Sequence, residues 1–133
     1  MFIEILVIIV ILLLILLGIN IALDLRSSPS VNPEQARKLI KQNYFDYIID
    51  VRSDKEWNKG HLLNAKHIEL KNLYDDIKLY DKNAKYLLYC RTGKRAAMGM
   101  RIMKAMGFKN VKYLIGNYKE IKNVHMGIED NKN

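Results

Sequence analysis

The sequence predicts an α/β fold, a parallel sheet flanked by helices, preceded by one membrane-spanning helix. Three observations lead there. Ile5 to Ile19 is unbroken by any polar side chain. After that run, short apolar segments alternate with helix-patterned ones, the signature of a parallel sheet covered on both faces. The lone cysteine, Cys90, falls where a strand hands over to a helix.

The apolar run extends from Ile3 to Leu23, taking in Glu4 and Asn20 near its ends. About 20 residues at ~1.5 Å each span a ~30 Å hydrocarbon core. A soluble core helix would carry a polar face, and this segment has none. A cleaved signal peptide would begin with a basic region and end at a small-residue site. Here Glu4 is the only charge before Asp24, and no clear A-x-A site follows. Residues 1–25 therefore read as an uncleaved anchor. No Lys or Arg precedes the span, whereas Arg26, Arg37, Lys38 and Lys41 follow it. The positive-inside rule then places the C-terminal domain in the cytoplasm, as a single-pass membrane protein.

Residues 26–31 read as a polar linker, 32–123 as the folded domain and 124–133 as a loose polar tail. Asn32 is a good N-cap, Pro33 suits the first helical position and Gln35 completes a capping box, so a helix is expected to about Gln42. Phe45–Asp50 reads as a buried strand, 54–59 as a helical turn and Ala65–Ile68 as a brief strand. Lys71–Ile77 reads as a helix and Tyr86–Cys90 as an apolar strand. Lys94–Met106 is a helix closed by Gly107. Val111–Ile115 is a strand, and Gly116–Asn123 begins a last helix. Met98, Ile102, Met103 and Met106 recur at helical spacing and are expected to form a buried stripe.

Lys and Arg number 22 against 14 acidic residues, a net charge of +8. The lysines are scattered singly, without a basic block interleaved with aromatics, so no nucleic-acid partner is expected. The simplest reading is a solvated cationic face, with attraction to lipid headgroups beside the anchor as the next. A single cysteine excludes an intramolecular disulfide and a multi-cysteine metal site. His67 and His125 stand apart from any Cys or acidic cluster in the sequence, so no metal site is expected.

Cys90 is followed by Arg91, Thr92, Gly93, Lys94 and Arg95. In open α/β sheets, ligands sit at the carboxyl ends of the strands, where this loop lies. Backbone N–H groups at the following helix N-terminus would point at the sulfur and favour an anion. Gly93 lets the loop wrap tightly. Arg91, Lys94 and Arg95 add positive charge. Each effect stabilises the thiolate, which is the reactive form. The plain alternative, a buried inert thiol, fits such a cationic glycine loop poorly.

Two separated stretches resemble the rhodanese family. The first is Ile48-Ile-Asp-Val-Arg52 followed by Glu56-Trp57 and Gly60-His61. The second is Leu88-Tyr-Cys-Arg-Thr-Gly-Lys-Arg95, continuing through Gly107-Phe-Lys-Asn-Val111 to Gly116. The resemblance implies a sulfurtransferase. Cys90 would accept a sulfane sulfur as a persulfide, from a small anionic donor such as thiosulfate, and pass it to cyanide, a thiol or a protein acceptor, with no cofactor. Residues 91–95 would cradle that sulfur, Arg91 and Lys94 attracting the donor and Arg95 helping to hold the loop. Asp50 would orient the loop or pair with Arg95, with Arg52 and His61 in supporting places. In the family the His61 position mainly closes a turn, and Trp57 reads as packing or a partly exposed lid. The sequence departs from the family where the expected proline turn reads Leu62-Leu-Asn-Ala65, and where Asn117 and Ile121 stand late in the second stretch.

Two other functions compete. Cell-cycle dual-specificity phosphatases share this kind of fold, but only four residues separate Cys90 from Arg95, one fewer than they have. The smaller ring suits one sulfur atom better than a phosphate. A non-enzymatic docking or redox-sensing module at the lipid bilayer would be expected to have lost the cysteine.

Overall fold

The computed structural model describes residues 1–121 and 128–129. Helix α1 (Phe2–Ser27) is apolar on every side from Ile5 to Ile19. Every described side chain of α1 up to Ile21 is exposed, so none packs on the domain. Its Phe2–Ile21 portion is long and apolar enough to cross a membrane. Strand β1 (Ser30–Val31) follows almost at once. What reads in the sequence as linker therefore contributes an edge strand, because the 26–31 stretch is short enough to be drawn against its neighbour.

Helix α2 (Pro33–Lys41) begins as its sequence requires: the Asn32 side chain accepts from the Gln35 N–H, and the Gln35 side chain accepts from the Asn32 N–H. Strand β2 (Tyr47–Asp50) leads to the short helix α3 (Asp54–Trp57), which a second capping box between Ser53 and Glu56 opens. Strands β3 (His61–Leu62) and β4 (Lys66–His67) come next. The helix expected over Lys71–Ile77 divides into a 3-10 turn, Leu70–Asn72, and helix α4 (Leu73–Asp76). Strand β5 (Lys85–Tyr89), helix α5 (Lys94–Ala105) and strand β6 (Asn110–Leu114) complete the central unit. Gly107, at φ +97°, supplies the left-handed residue that ends α5. The last helix expected from Gly116 is instead a 3-10 turn, Tyr118–Glu120. There the Asn117 side chain accepts from the Lys119 N–H and caps a tight turn. The end of that expectation, His125 and the tail from 124 lie outside the described residues, apart from β7 (Ile128–Glu129), which pairs antiparallel with β3.

Strands β1-β6-β5-β2-β4 form one sheet, and every pairing in it is parallel. In β5 the side chains alternate between two buried layers, the pattern of a strand covered on both faces. Tyr86 and Leu88, with Cys90 beyond them, face Leu73, Ile77, Ala96 and Met103. Leu87 and Tyr89 face Val31, Ala36, Leu39 and Leu114. The methionine stripe is corrected on α5: Ala96, Gly99 and Met103 are its buried positions, while Met98 is half exposed. Small residues face the sheet because the helix lies close. A Cβ on Gly99 would come within 2.8 Å of Leu88 Cδ2 and 3.1 Å of Leu73 Cδ2. That close approach holds the amino end of α5 against the end of β5, where Cys90 sits.

Candidate active site

Cys90 follows the last residue of β5 and is 1% exposed. Its Sγ accepts hydrogen bonds from the backbone N–H of Gly93, at 3.1 Å, and of Ala96, at 3.4 Å. Both donors belong to the loop and first turn of α5, so the helix amino end points at the sulfur. Gly93 has φ +109°, and a Cβ there would lie 3.0 Å from the Leu114 carbonyl oxygen. Both the backbone angle and the space thus require glycine. The Thr92 carbonyl accepts from the Gly116 N–H, which ties the loop to the end of β6. Arg91, Thr92 and Lys94 are exposed around the recessed sulfur.

Arg95 does not pair with Asp50. Its guanidinium forms a two-pronged ion pair with Glu56, Nη1 to Oε1 at 2.7 Å and Nη2 to Oε2 at 2.9 Å. The sequence quotes Glu56 as part of a motif but gives no sign of this role, since 39 positions separate the partners. The hydrogen bond from Arg95, joined by those of Ser53, outweighs burial and lowers the Glu56 carboxyl to about 2. The same bond raises the Arg95 guanidinium above its ordinary value. The pair clamps α3 to the start of α5.

Asp50 is engaged elsewhere. Its carboxylate accepts from the side chain of Arg52, with the shortest contact 2.6 Å, and from the Arg52 backbone N–H. Asp50 is 0% and Arg52 5% exposed. Burial opposes the Arg52 charge, but the hydrogen bonds and charge of Asp50 more than offset it, and its pKa is raised. Arg52 also donates to the Gly60 carbonyl at 2.7 Å, and its guanidinium lies 4.5 Å from the centre of the Tyr118 ring. Tyr118 donates its hydroxyl hydrogen to the same carbonyl. Tyr89, whose hydroxyl accepts from the Leu62 N–H, completes this buried network. Neither tyrosine has a distinguishing pattern in the sequence beyond its apolar neighbours.

His61 lies in β3, buried, with Nδ1 3.0 Å from the Leu62 carbonyl oxygen. Its ring stacks on Trp57 at 3.4 Å between centres. Trp57 also stacks on His67 at 4.8 Å, so it packs with two imidazoles. The sequence-based picture of His67 as isolated is overturned. Asp54, His67 and Glu69 offer ligand atoms within 4.8 Å of one another. The fold does this by placing β4 beside the start of α3. His67 Nε2 is already 2.7 Å from the Arg52 carbonyl, and Glu69 accepts from the Asp54 N–H.

Beside the loop lies a cavity of about 270 Å³ whose described lining residues are four cations, Arg52, Lys59, Arg91 and Lys119, with Asn117, Tyr118 and a single carboxylate, Glu56, which Arg95 already pairs. It offers an anion a cationic approach to the loop.

Residues 32–124 match the rhodanese-like domain family. The chain belongs to that family. Among relatives of the rhodanese-like domain, the putative sulfurtransferase YtwF of Bacillus subtilis is 34% identical over 65 residues, 49% of this chain and 63% of that protein. The chain thus spans less than two thirds of this relative. The thiosulfate sulfurtransferase GlpE of Coxiella burnetii is 31% identical over 100 residues, covering 74% of this chain and 92% of that one. The human single-domain sulfurtransferase TSTD1 has the same fold, with a TM-score of 0.63 at 21% identity, over 74% of this chain and all of that one.

Proposed function

We propose that this chain moves a sulfane sulfur from a small anionic donor such as thiosulfate to a thiol or cyanide, through a persulfide on Cys90. The observation that carries the reading is the pair of N–H groups donating to Sγ inside a cationic loop. The names of the relatives, YtwF and GlpE among them, support it.

In the first half-reaction the Cys90 thiolate attacks the terminal sulfur of thiosulfate. The new S–S bond forms as the old one breaks, and sulfite leaves with the bonding pair. In the second, the acceptor attacks the outer sulfur of the persulfide, and Cys90 leaves as the thiolate it began as. The Gly93 and Ala96 N–H groups hold the negative charge at both ends of the cycle. Arg91 and Lys94 gather the donor. Arg95, committed to Glu56, positions the loop, and Arg52 with Asp50 holds the floor beneath it. The recessed sulfur favours a donor that presents sulfur as a terminal atom.

The apolar α1 supports a single-pass anchor, and the cations that follow it support a cytoplasmic domain. The test uses the full chain in detergent micelles with thiosulfate. Intact mass should show one added sulfur atom, absent in Cys90→Ser, and cyanide should then release thiocyanate. No adduct and no thiocyanate would sink the transferase. Phosphate release from an aryl phosphate would establish a phosphatase instead.

A further inference from the structure

The parallel sheet has two poles, and Cys90 occupies the carboxyl one. The chain leaves α1 at Ser27 and enters β1 through Ser28 and Pro29. Ser30 is level with Tyr113 in the parallel register, so Ser28 lies beside the first residues of β6. The chain out of α1 therefore arrives at the amino pole. Five β5 residues at ~3.3 Å each put Cys90 about 17 Å away, at the other end.

At the amino pole is a cavity of about 200 Å³ lined by Ser28, Tyr44, Asn110 and three lysines, Lys104, Lys109 and Lys112. The described residues that line it include no carboxylate. Lys104 is in the last turn of α5, and Lys109 precedes β6; both are exposed. Lys112 is buried at the base and donates to the Ser28 carbonyl. Burial first, and then the nearby Lys104 charge, lower its pKa. The exposed Lys104 and Lys109, facing one cavity, therefore gain by receiving an anion.

Depth decides which anion. The apolar run ends at Leu23, and α1 goes four residues further, to Ser27. Four residues rise about 6 Å. The headgroup layer extends roughly 5–7 Å beyond the hydrocarbon on each side. Ser28, which lines the cavity, thus emerges at the outer edge of the headgroups. We infer that the amino pole faces the bilayer and that the Lys104–Lys109–Lys112 cavity holds the phosphate of an anionic lipid headgroup, leaving the Cys90 pole turned toward water. The inference rests on the anchor reading of α1.

The test reconstitutes the full chain in vesicles of phosphatidylcholine, alone or mixed with phosphatidylglycerol, and measures amine labelling by mass spectrometry. Lys104 and Lys109 should label about fivefold more slowly in the anionic vesicles, while Lys55 on α3 should not change. Lys104→Gln, an exposed change, should lessen the protection of Lys109. Brominated lipid tails should leave the fluorescence of Trp57, at the far pole, unquenched. Equal labelling in both vesicles, or Trp57 quenching, would overturn the pocket while leaving the anchor intact. Equal protection in phosphatidylcholine plus inorganic phosphate would overturn the lipid assignment. Failure to co-float with either vesicle would overturn the anchor and the inference together.

Discussion

Two arginine–carboxylate pairs flank the reactive loop, and they differ in kind. Arg52–Asp50 is sealed from water, while the side chains of Arg95 and Glu56 are 37% and 29% exposed. The first pair is a strut. It connects the end of β2 to the Gly60 turn and shares that carbonyl with Tyr118. The second is a clamp. It joins α3 to the helix whose amino end faces the sulfur. Two pairs of the same chemistry thus divide the work: the strut should govern whether the domain folds, and the clamp how well the loop is held.

The largest effect is expected at the strut. Asp50→Asn leaves the Arg52 charge buried without a counter-ion, and such a loss costs about 3–5 kcal/mol. Urea unfolding of the full chain in micelles should show it. The double change Asp50→Leu with Arg52→Met removes both charges and should recover most of the loss, since apolar replacement of a buried pair is often neutral. No recovery would mean that the Arg52–Gly60 bond matters more than the charge balance.

A second substitution tests the loop that both pairs flank. Gly93→Ala demands a left-handed conformation and a Cβ 3.0 Å from the Leu114 carbonyl oxygen. The expected cost is about 1–3 kcal/mol, from strain at a φ that alanine rarely adopts. Sulfur loading from thiosulfate should fall with it, because the Gly93 N–H would shift from Cys90. Unchanged loading would separate the loop's geometry from its chemistry.

At the clamp, Glu56→Gln should cost less stability, about 1–2 kcal/mol once the solvent reaching both groups is taken into account. Its sulfur-loading rate should nonetheless fall several-fold, because Arg95 is released from its place in the loop. Glu56→Asp, which keeps the charge on a shorter arm, should restore part of the rate. A stability loss as large as that of Asp50→Asn would erase the distinction between strut and clamp.

How much of this was legible depended on distance along the chain. The α2 capping box and the Gly107 stop could be read because each is decided within a few residues. The cationic loop on Cys90 is likewise continuous. The partner of Arg95 was not legible, since Glu56 and Asp50 both lie in the earlier motif and only packing of α3 against α5 selects between them. On α5 the expected stripe holds at Met103, which is buried, and at Met106, which packs against the core, but not at Met98, where the small residues Ala96 and Gly99 take the buried positions instead. Gly99 is buried because it is small enough to admit Leu88. Tyr118 was expected within a helix, but its hydroxyl is drawn to Gly60, 58 positions earlier.

The smallest effect is the pH response of the clamp, and its sign follows from Glu56. Its carboxyl falls from 4.5 to about 2 on folding, first through the Arg95 hydrogen bond. A carboxyl lowered on folding contributes stability that is complete above its unfolded value and is lost as the pH falls through its folded one. The clamp should therefore hold fully above a pH of about 4.5 and weaken toward about 2. Other carboxylates titrate in the same window, so the informative quantity is the gap in unfolding free energy between the wild type and Glu56→Gln. That gap should stay level above the window and narrow as the pH falls through it, because protonated Glu56 becomes nearly equivalent to glutamine. A gap that widened on acidification would show that Arg95 is held by something other than the ionised carboxylate.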